Sequence, residues 1–400
     1  MKTVIIGGGI GGLYTAYYLV KYGYEPGNIV LVAAEWPPYS KHRLTEILSE
    51  KSSFDYAYIR IYNVLLDKGV RILQDVATRL DISNKTVILR RNGGIIYDNL
   101  VIATGGKPSI PPLKGTELKN VMTFYDLEDL KKLSRIPRTA RVAVIGAGLV
   151  GLSVATALNK LGAQVTIYEL MEDILSGVID RPLSTKLEKY LVSKGIKIRT
   201  RSRVEEIIGG KTAREIKASG RIEPVDIVVF ATGVRPNTEL VRGLGIEMLH
   251  GAIKIGRNGM TSINGIYATG DCALSHDLIT GKEVYRPLGF VAAHYARIIA
   301  RNITGARKET RGIVPTIYEN ISGAHVVRVG LSLREAESLG LSPTIRCEEA
   351  PSYLSCTVLQ DQTPIGYEAI GFSNRIRNRA WQIYYDIHNV LLGKNISKKF

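Results

Sequence analysis

The sequence predicts an α/β protein: two Rossmann-like dinucleotide-binding domains and a smaller α+β domain after them. Three observations predict it. Gly7-Gly8-Gly9-Ile10-Gly11-Gly12 follows the apolar run Thr3-Val4-Ile5-Ile6, and Gly146-Ala147-Gly148-Leu149-Val150-Gly151 follows Val142-Ala143-Val144-Ile145. Each of these runs leads through a helical pattern to a second strand that ends in a carboxylate, Glu35 and then Glu169. Each half also closes on an apolar strand ending in Ala103-Thr104-Gly105 or Ala231-Thr232-Gly233, which points to an internal duplication.

The glycine spacing has a physical meaning. The first glycine (Gly7, Gly146) lets the chain leave the strand in a tight turn. The second (Gly9, Gly148) has no side chain, so a pyrophosphate can approach the backbone, and the third (Gly12, Gly151) lets helix pack on sheet. The anion then lies at a helix N-terminus, where unpaired N–H groups and the helix dipole favour negative charge. Glu35 and Glu169 stand where a carboxylate accepts hydrogen bonds from ribose hydroxyls. Two such sites on one chain suit a relay that passes electrons from one nucleotide to the other.

The remaining elements follow in order. After Glu35 come the turn Trp36-Pro37-Pro38-Tyr39 and the basic cluster Lys41-His42-Arg43. A helical pattern from Phe54 to Lys68 leads to strands around Val70–Leu73 and Thr86–Arg90. The proline-rich stretch Pro108 to Pro112 marks a boundary, and the second glycine unit opens at Arg141. A third strand, Ile266-Tyr267-Ala268-Thr269-Gly270-Asp271, returns the chain to the first domain. Short strands from about Arg311 give way to a last helix over Ser373 to Leu392. The expected domains are 1–109 and 241–310 as two parts of the first, 110–240 as the second, and 311–400 as the last.

Composition narrows the class. The 400 residues are 45% hydrophobic and 22% charged, ordinary for a globular chain, and the uncharged run Thr3 to Val20 is broken by glycines at the fingerprint spacing. A spanning segment is therefore not expected. The net charge of +16 suits an acidic partner, an anionic surface or nucleic acid, or reflects a basic proteome. Cys272, Cys347 and Cys356 form no C-x-x-C pair and no metal-ligand spacing, so a reducing cytoplasm without a structural metal is expected.

Together these motifs resemble the pyridine nucleotide–disulfide oxidoreductase superfamily, along almost the whole chain. Ala231-Thr232-Gly233-Val234-Arg235-Pro236-Asn237 belongs to the resemblance. So do Val329-Gly330-Leu331-Ser332 with Glu335-Ala336, and later Arg375-Ile376, which are similar to the interface domain of NADH oxidases. The resemblance implies a glutathione-reductase-like fold, a homodimer, FAD in the first site and NADH in the second. Gly7, Gly9, Gly12, Glu35, Ala103, Thr104, Gly105 and Gly270 would hold FAD, with Asp271 at its ribityl or phosphate region and Lys41 close to the flavin. The helix from Gly289 would aim its N-terminus at the flavin pyrimidine and stabilise negative charge there. Gly146, Gly148, Gly151, Glu169 and Gly233 would hold the nicotinamide nucleotide. After Glu169 no arginine occurs until Arg181, so NADH is preferred over NADPH. The implied reaction passes hydride from NADH to flavin N5 and electrons onward; the flavin carries the chemistry, and no catalytic side chain is assigned.

Departures from the family narrow the reading. Members that reduce disulfides or peroxides carry a cysteine soon after the first carboxylate, whereas Tyr39 to Glu46 contains none. The segment resembles the ferredoxin and rubredoxin reductase branch, with Glu46 where many of those carry lysine and Ser153 where glutamate is frequent beside the nicotinamide. Cys272 is expected to pack, and His294 to be a solvated or core histidine. In the last helix Ile376, Ala380, Ile383, Ile387 and Val390 form a stripe widened by Trp381, Tyr384, Tyr385 and Leu391. Arg375, Arg377, Arg379, Lys394, Lys398 and Lys399 flank it. It is read either as a core or dimer-interface helix or as one that lies on the inner face of a membrane, where quinone would be the acceptor. The acceptor therefore stays open among quinone, oxygen and an acidic ferredoxin or rubredoxin. A nucleic-acid-binding, non-catalytic flavoprotein is the remaining alternative, without a nucleic-acid motif to support it.

Overall fold

The structure is a computed structural model and describes residues 1–50, 52–373 and 375–391. The chain forms two compact units. The first comprises Met1–Lys41, Phe54–Lys107 and Val234–Ile313. Its centre is a parallel five-stranded sheet in the order Ile266–Ala268, Asn99–Ile102, Thr3–Ile6, Ile29–Ala33 and Arg71–Gln74. Thr3–Ile6 and Ile29–Ala33 are buried throughout, because helices cover both faces of a parallel sheet and leave no polar side. The helix Ile10–Lys21 seats Leu13, Ala16 and Leu19 in this core and packs against the helix Gly289–Ile303. The segment read as one helix from Phe54 is instead a 3-10 turn, Phe54–Ala57, and a short helix, Ile61–Asp67.

The second unit comprises His42–Ser53, Pro108–Gly233 and Val314–Phe400. Its parallel sheet runs Lys197–Arg199, Gln164–Tyr168, Arg141–Ile145, Ile227–Phe230 and Val121–Thr123. An antiparallel sheet follows in the order Thr316–Ile321, Ala324–Gly330, Thr363–Gly371, Tyr353–Gln360 and Thr344–Ala350. The unit boundaries fall at Lys107 and Val234, where the sequence suggested 109 and 241. The short helix Leu44–Glu50, which the sequence did not announce, packs on the second fingerprint helix Leu149–Lys160.

One expectation is corrected here. Cys347 and Cys356, read as separate thiols of a reducing compartment, are joined by a disulfide. They stand directly opposite each other on Thr344–Ala350 and Tyr353–Gln360. Across the two-residue turn 351–352, residues nine apart stand directly opposite each other, a pairing that the hairpin register and not the cysteine spacing alone decides. Of the two readings of the last helix, Arg375–Leu391, packing supports the core one: Ile376, Ala380 and Ile387 are buried where it packs on Ala324–Gly330 and Thr363–Gly371. Trp381 and Tyr385 remain exposed. The side chains of Arg377 and Val390, and all of Lys394, Lys398 and Lys399, lie outside the described residues. No described helix is long and apolar enough to cross a membrane.

Candidate nucleotide-binding sites

In the first unit the glycine loop follows strand Thr3–Ile6, and Gly7 takes a left-handed φ of 122°. A Cβ on Gly7 would lie 2.0 Å from the Ala103 carbonyl oxygen, and one on Gly12 would lie 1.9 Å from that of Gly7. Gly9 has nothing within 4 Å of an added Cβ and sits at the N-cap of Ile10–Lys21. The outer glycines are thus demanded by backbone contact, while the middle one opens on space at a helix N-terminus. That is the cradle a pyrophosphate requires. A second helix converges on it: a Cβ on Gly289, the first residue of Gly289–Ile303, would meet Ile10 Cδ1 at 2.8 Å.

The other first-unit residues gather around this loop. Ala103 N donates to the Ile6 carbonyl at 2.8 Å, and Thr269 N to that of Ile102 at 3.0 Å, which sets Ala103-Thr104-Gly105 and Gly270-Asp271 side by side. Gly105 and Gly270 both have positive φ, 70° and 83°. Thr104 Oγ1 donates to the Asn237 carbonyl at 2.6 Å, and Asn237 Nδ2 donates back to that of Thr104 at 3.2 Å. Lys41 Nζ lies 3.6 Å from Glu35 Oε1, so the basic residue and the ribose carboxylate expected of one site are neighbours. Burial pushes the Asp271 carboxyl above its usual range, against the pull of Lys41. Cys272 is fully buried, its thiol directed at the Ile102 and Thr269 carbonyls, a packing role. His294 Nε2 lies 2.9 Å from Thr310 Oγ1.

The second unit repeats the cradle. Gly146 has φ 103°, and its Cβ would lie 2.6 Å from the Ala231 carbonyl oxygen; that of Gly151 would lie 2.0 Å from Gly146 O. Gly148 and Gly233 open on space. Glu169 is pinned by two backbone donors, Ala147 N to Oε2 at 2.7 Å and Met171 N to Oε1 at 2.8 Å. The carboxylate is thereby fixed beside the glycine loop, with lone pairs left for a ribose.

Sequence reading missed two groups here. The first is Arg201, which the short strand Lys197–Arg199 delivers to the acidic loop after Glu169. Glu172 is paired with Arg201 and, at 2.8 Å, with Arg181, while Asp173 binds Arg334 at 2.6 Å. Glu172, Asp173, Arg181 and Arg201 border a cavity of about 540 Å³. The guanidinium groups of this loop are therefore each paired with an acidic side chain. The second group is Glu319, on Thr316–Ile321: Ser153 Oγ donates to its Oε1 at 3.2 Å, and His42 Nδ1 lies 3.5 Å from its Oε2. Burial raises its carboxyl above the usual range, and His42 and the Ser153 hydroxyl pull it down. His42 and Glu319 come from opposite ends of the chain, so no local pattern joins them.

The family model described as pyridine nucleotide-disulphide oxidoreductase matches residues 1–296. An NADH oxidase of Methanocaldococcus jannaschii is 30% identical over 343 residues, covering 83% of this chain and 76% of its own. A rubredoxin–NAD(+) reductase of Pseudomonas putida is 27% identical over 310 residues, covering 76% and 80%. A solved NAD-dependent persulfide reductase from A. fulgidus is similar with a TM-score of 0.90 and 28% identity, over 100% of this chain and 80% of that one. A ferredoxin reductase from Rhodopseudomonas palustris reaches 0.88 at 26% identity, over 99% and 96%.

Proposed function

The chain belongs to the pyridine nucleotide–disulphide oxidoreductase family, and from that premise we propose that it is an NADH dehydrogenase or oxidase whose electrons leave to quinone or oxygen. As a member it is an FAD-dependent NAD(P)H oxidoreductase. The observation that carries the reading is the pair of glycine cradles, each closed by backbone contact at its outer glycines and open at Gly9 or Gly148. We assign FAD to the first and NADH to the second. FAD, when bound, supplies the hydride and electron chemistry. The chain's residues supply position and field. Gly9 and Gly148 admit a pyrophosphate, Glu35 and Glu169 accept ribose hydroxyls, and the helix N-termini at Ile10 and Gly289 favour negative charge.

Tyr39 to Glu46 lacks a cysteine, which argues against a thiolate relay next to the flavin. The protein is proposed to work in the cytoplasm as a homodimer. Contact with a membrane would have to use the exposed face of the last helix, with Trp381 and Tyr385, since the apolar stripe is packed. A second reading, an NADH-dependent ferredoxin or rubredoxin reductase, is favoured by the charge of +16, which would steer an acidic partner. Reoxidation of NADH-reduced protein by a panel of acceptors tests both. Rapid turnover with a soluble quinone or oxygen supports the first reading, and turnover only with an acidic redox protein, falling steeply with salt, supports the second.

A further inference from the structure

Three stretches of the second unit meet on the helix Leu149–Lys160. Ser153 is on that helix and nine-tenths buried, Glu319 is on strand Thr316–Ile321 with its side chain 12% exposed, and His42 precedes helix Leu44–Glu50 with its side chain 60% exposed. Ser153 lies two residues beyond Gly151, about 6 Å along the helix from Leu149 at roughly 1.5 Å per residue. Its hydroxyl donates to Glu319 Oε1 at 3.2 Å and so fixes the carboxyl on the helix whose N-terminus forms the open cradle. We infer that Glu319 is a charge-selective residue of the nicotinamide nucleotide site, favouring the oxidised nucleotide over the reduced one.

The oxidised nicotinamide ring carries a positive charge that the reduced ring lacks. A carboxylate held on the nucleotide-binding helix and shielded from solvent lowers the free energy of the charged form and leaves the neutral form nearly unaffected. Such a preference acts in the direction of hydride departure, because the ring becomes positive as hydride leaves.

The groups that face Glu319 are His42, Glu46 from the helix Leu44–Glu50, and the Ser153 hydroxyl. His42 favours the ionised carboxyl, Glu46 opposes it, and burial opposes it most. Glu319 therefore changes charge at a higher pH than an ordinary glutamate, and affinity for the oxidised nucleotide tightens as it ionises. The inference rests on NADH lying in the second cradle.

The test is equilibrium binding of NAD⁺ and of NADH to the flavin-loaded protein between pH 5 and 9, by calorimetry. In the native protein NAD⁺ affinity rises with pH relative to NADH. Glu319→Gln weakens NAD⁺ about tenfold at pH 8, leaves NADH unchanged and flattens the profile. Glu319→Asp keeps the discrimination. His42→Gln moves the midpoint to higher pH, a shift that a merely structural strap would not produce. Equal effects of Glu319→Gln on both nucleotides would overturn the inference. If that variant does not fold, the native profile decides, and an NAD⁺ to NADH affinity ratio independent of pH overturns it as well. Should neither nucleotide bind the native protein, the placement of NADH in the second cradle fails instead.

Discussion

Glu368 Oε2 accepts the backbone N–H of Asp180 at 2.8 Å, and the glutamate is fully buried. Asp180 in turn accepts Leu333 N at 2.7 Å, so these carboxyl groups join the start of helix Arg181–Ser193 to strand Thr363–Gly371 and helix Leu333–Ser338. Glu368 Oε1 has no hydrogen-bond partner among the described residues. Burial, with the Asp180 charge behind it, raises the Glu368 carboxyl to about 8 from 4.5.

A carboxyl raised on folding binds its proton more tightly in the native state, so stability falls as pH rises from about 4.5 to about 8. The loss is on the order of a few kcal/mol. Urea unfolding at pH 5, 7 and 9 checks this. Glu368→Gln should lose the slope and be the more stable protein at pH 9. Parallel curves for the two proteins would remove Glu368 as the cause.

The glycines divide into two kinds with opposite consequences. Gly12→Ala puts a Cβ 1.9 Å from Gly7 O, and the first unit should fail to fold. Gly9 has φ −79°, allowed for any residue, and opens on space. Gly9→Val should therefore fold with the thermal midpoint of the flavin-free native protein, yet purify with little flavin. Flavin absorbance per chain decides, and full flavin content in Gly9→Val would contradict the cradle.

Glu172 holds the guanidinium groups of Arg181 and Arg201. Glu172→Gln removes that charge and frees Arg201 for a 2′-phosphate, while Arg181 keeps Asp173 at 3.6 Å. The ratio of kcat/KM for NADPH to that for NADH should rise about tenfold, which corresponds to about 1.4 kcal/mol. An unchanged ratio would show that Arg201 does not reach the nucleotide.

The disulfide between Cys347 and Cys356 ties the edge strand Thr344–Ala350 to its neighbour. Closing so short a loop restricts the unfolded chain by about 2–3 kcal/mol. Cys347→Ser should lower the melting temperature by a few degrees, and a thiol reductant should lower that of the native protein alike. Melting curves indifferent to both changes would refute the bond's stabilising role.

What the sequence made legible was local. The glycine cradles, the carboxylates Glu35 and Glu169 and the returning strand Ile266–Ala268 are each specified by a few neighbouring residues, so they can be read directly. Pairings between distant stretches left no such trace. His42 with Glu319, Arg201 with Glu172 and Asp180 with Glu368 arise only when separate elements pack. The last helix shows the same limit: its stripe was visible, but packing against two strands, not periodicity, decides what covers it.

The central claim is that one chain holds two nucleotides and passes electrons from the second to the first. Anaerobic stopped-flow of the flavin-loaded protein with NADH tests it most directly, with Gly148→Val as the comparison. Rapid bleaching of the native flavin is predicted, together with a Gly148→Val variant that keeps its flavin but bleaches far more slowly. A native chain that retains no flavin, or whose flavin ignores NADH, would contradict the account.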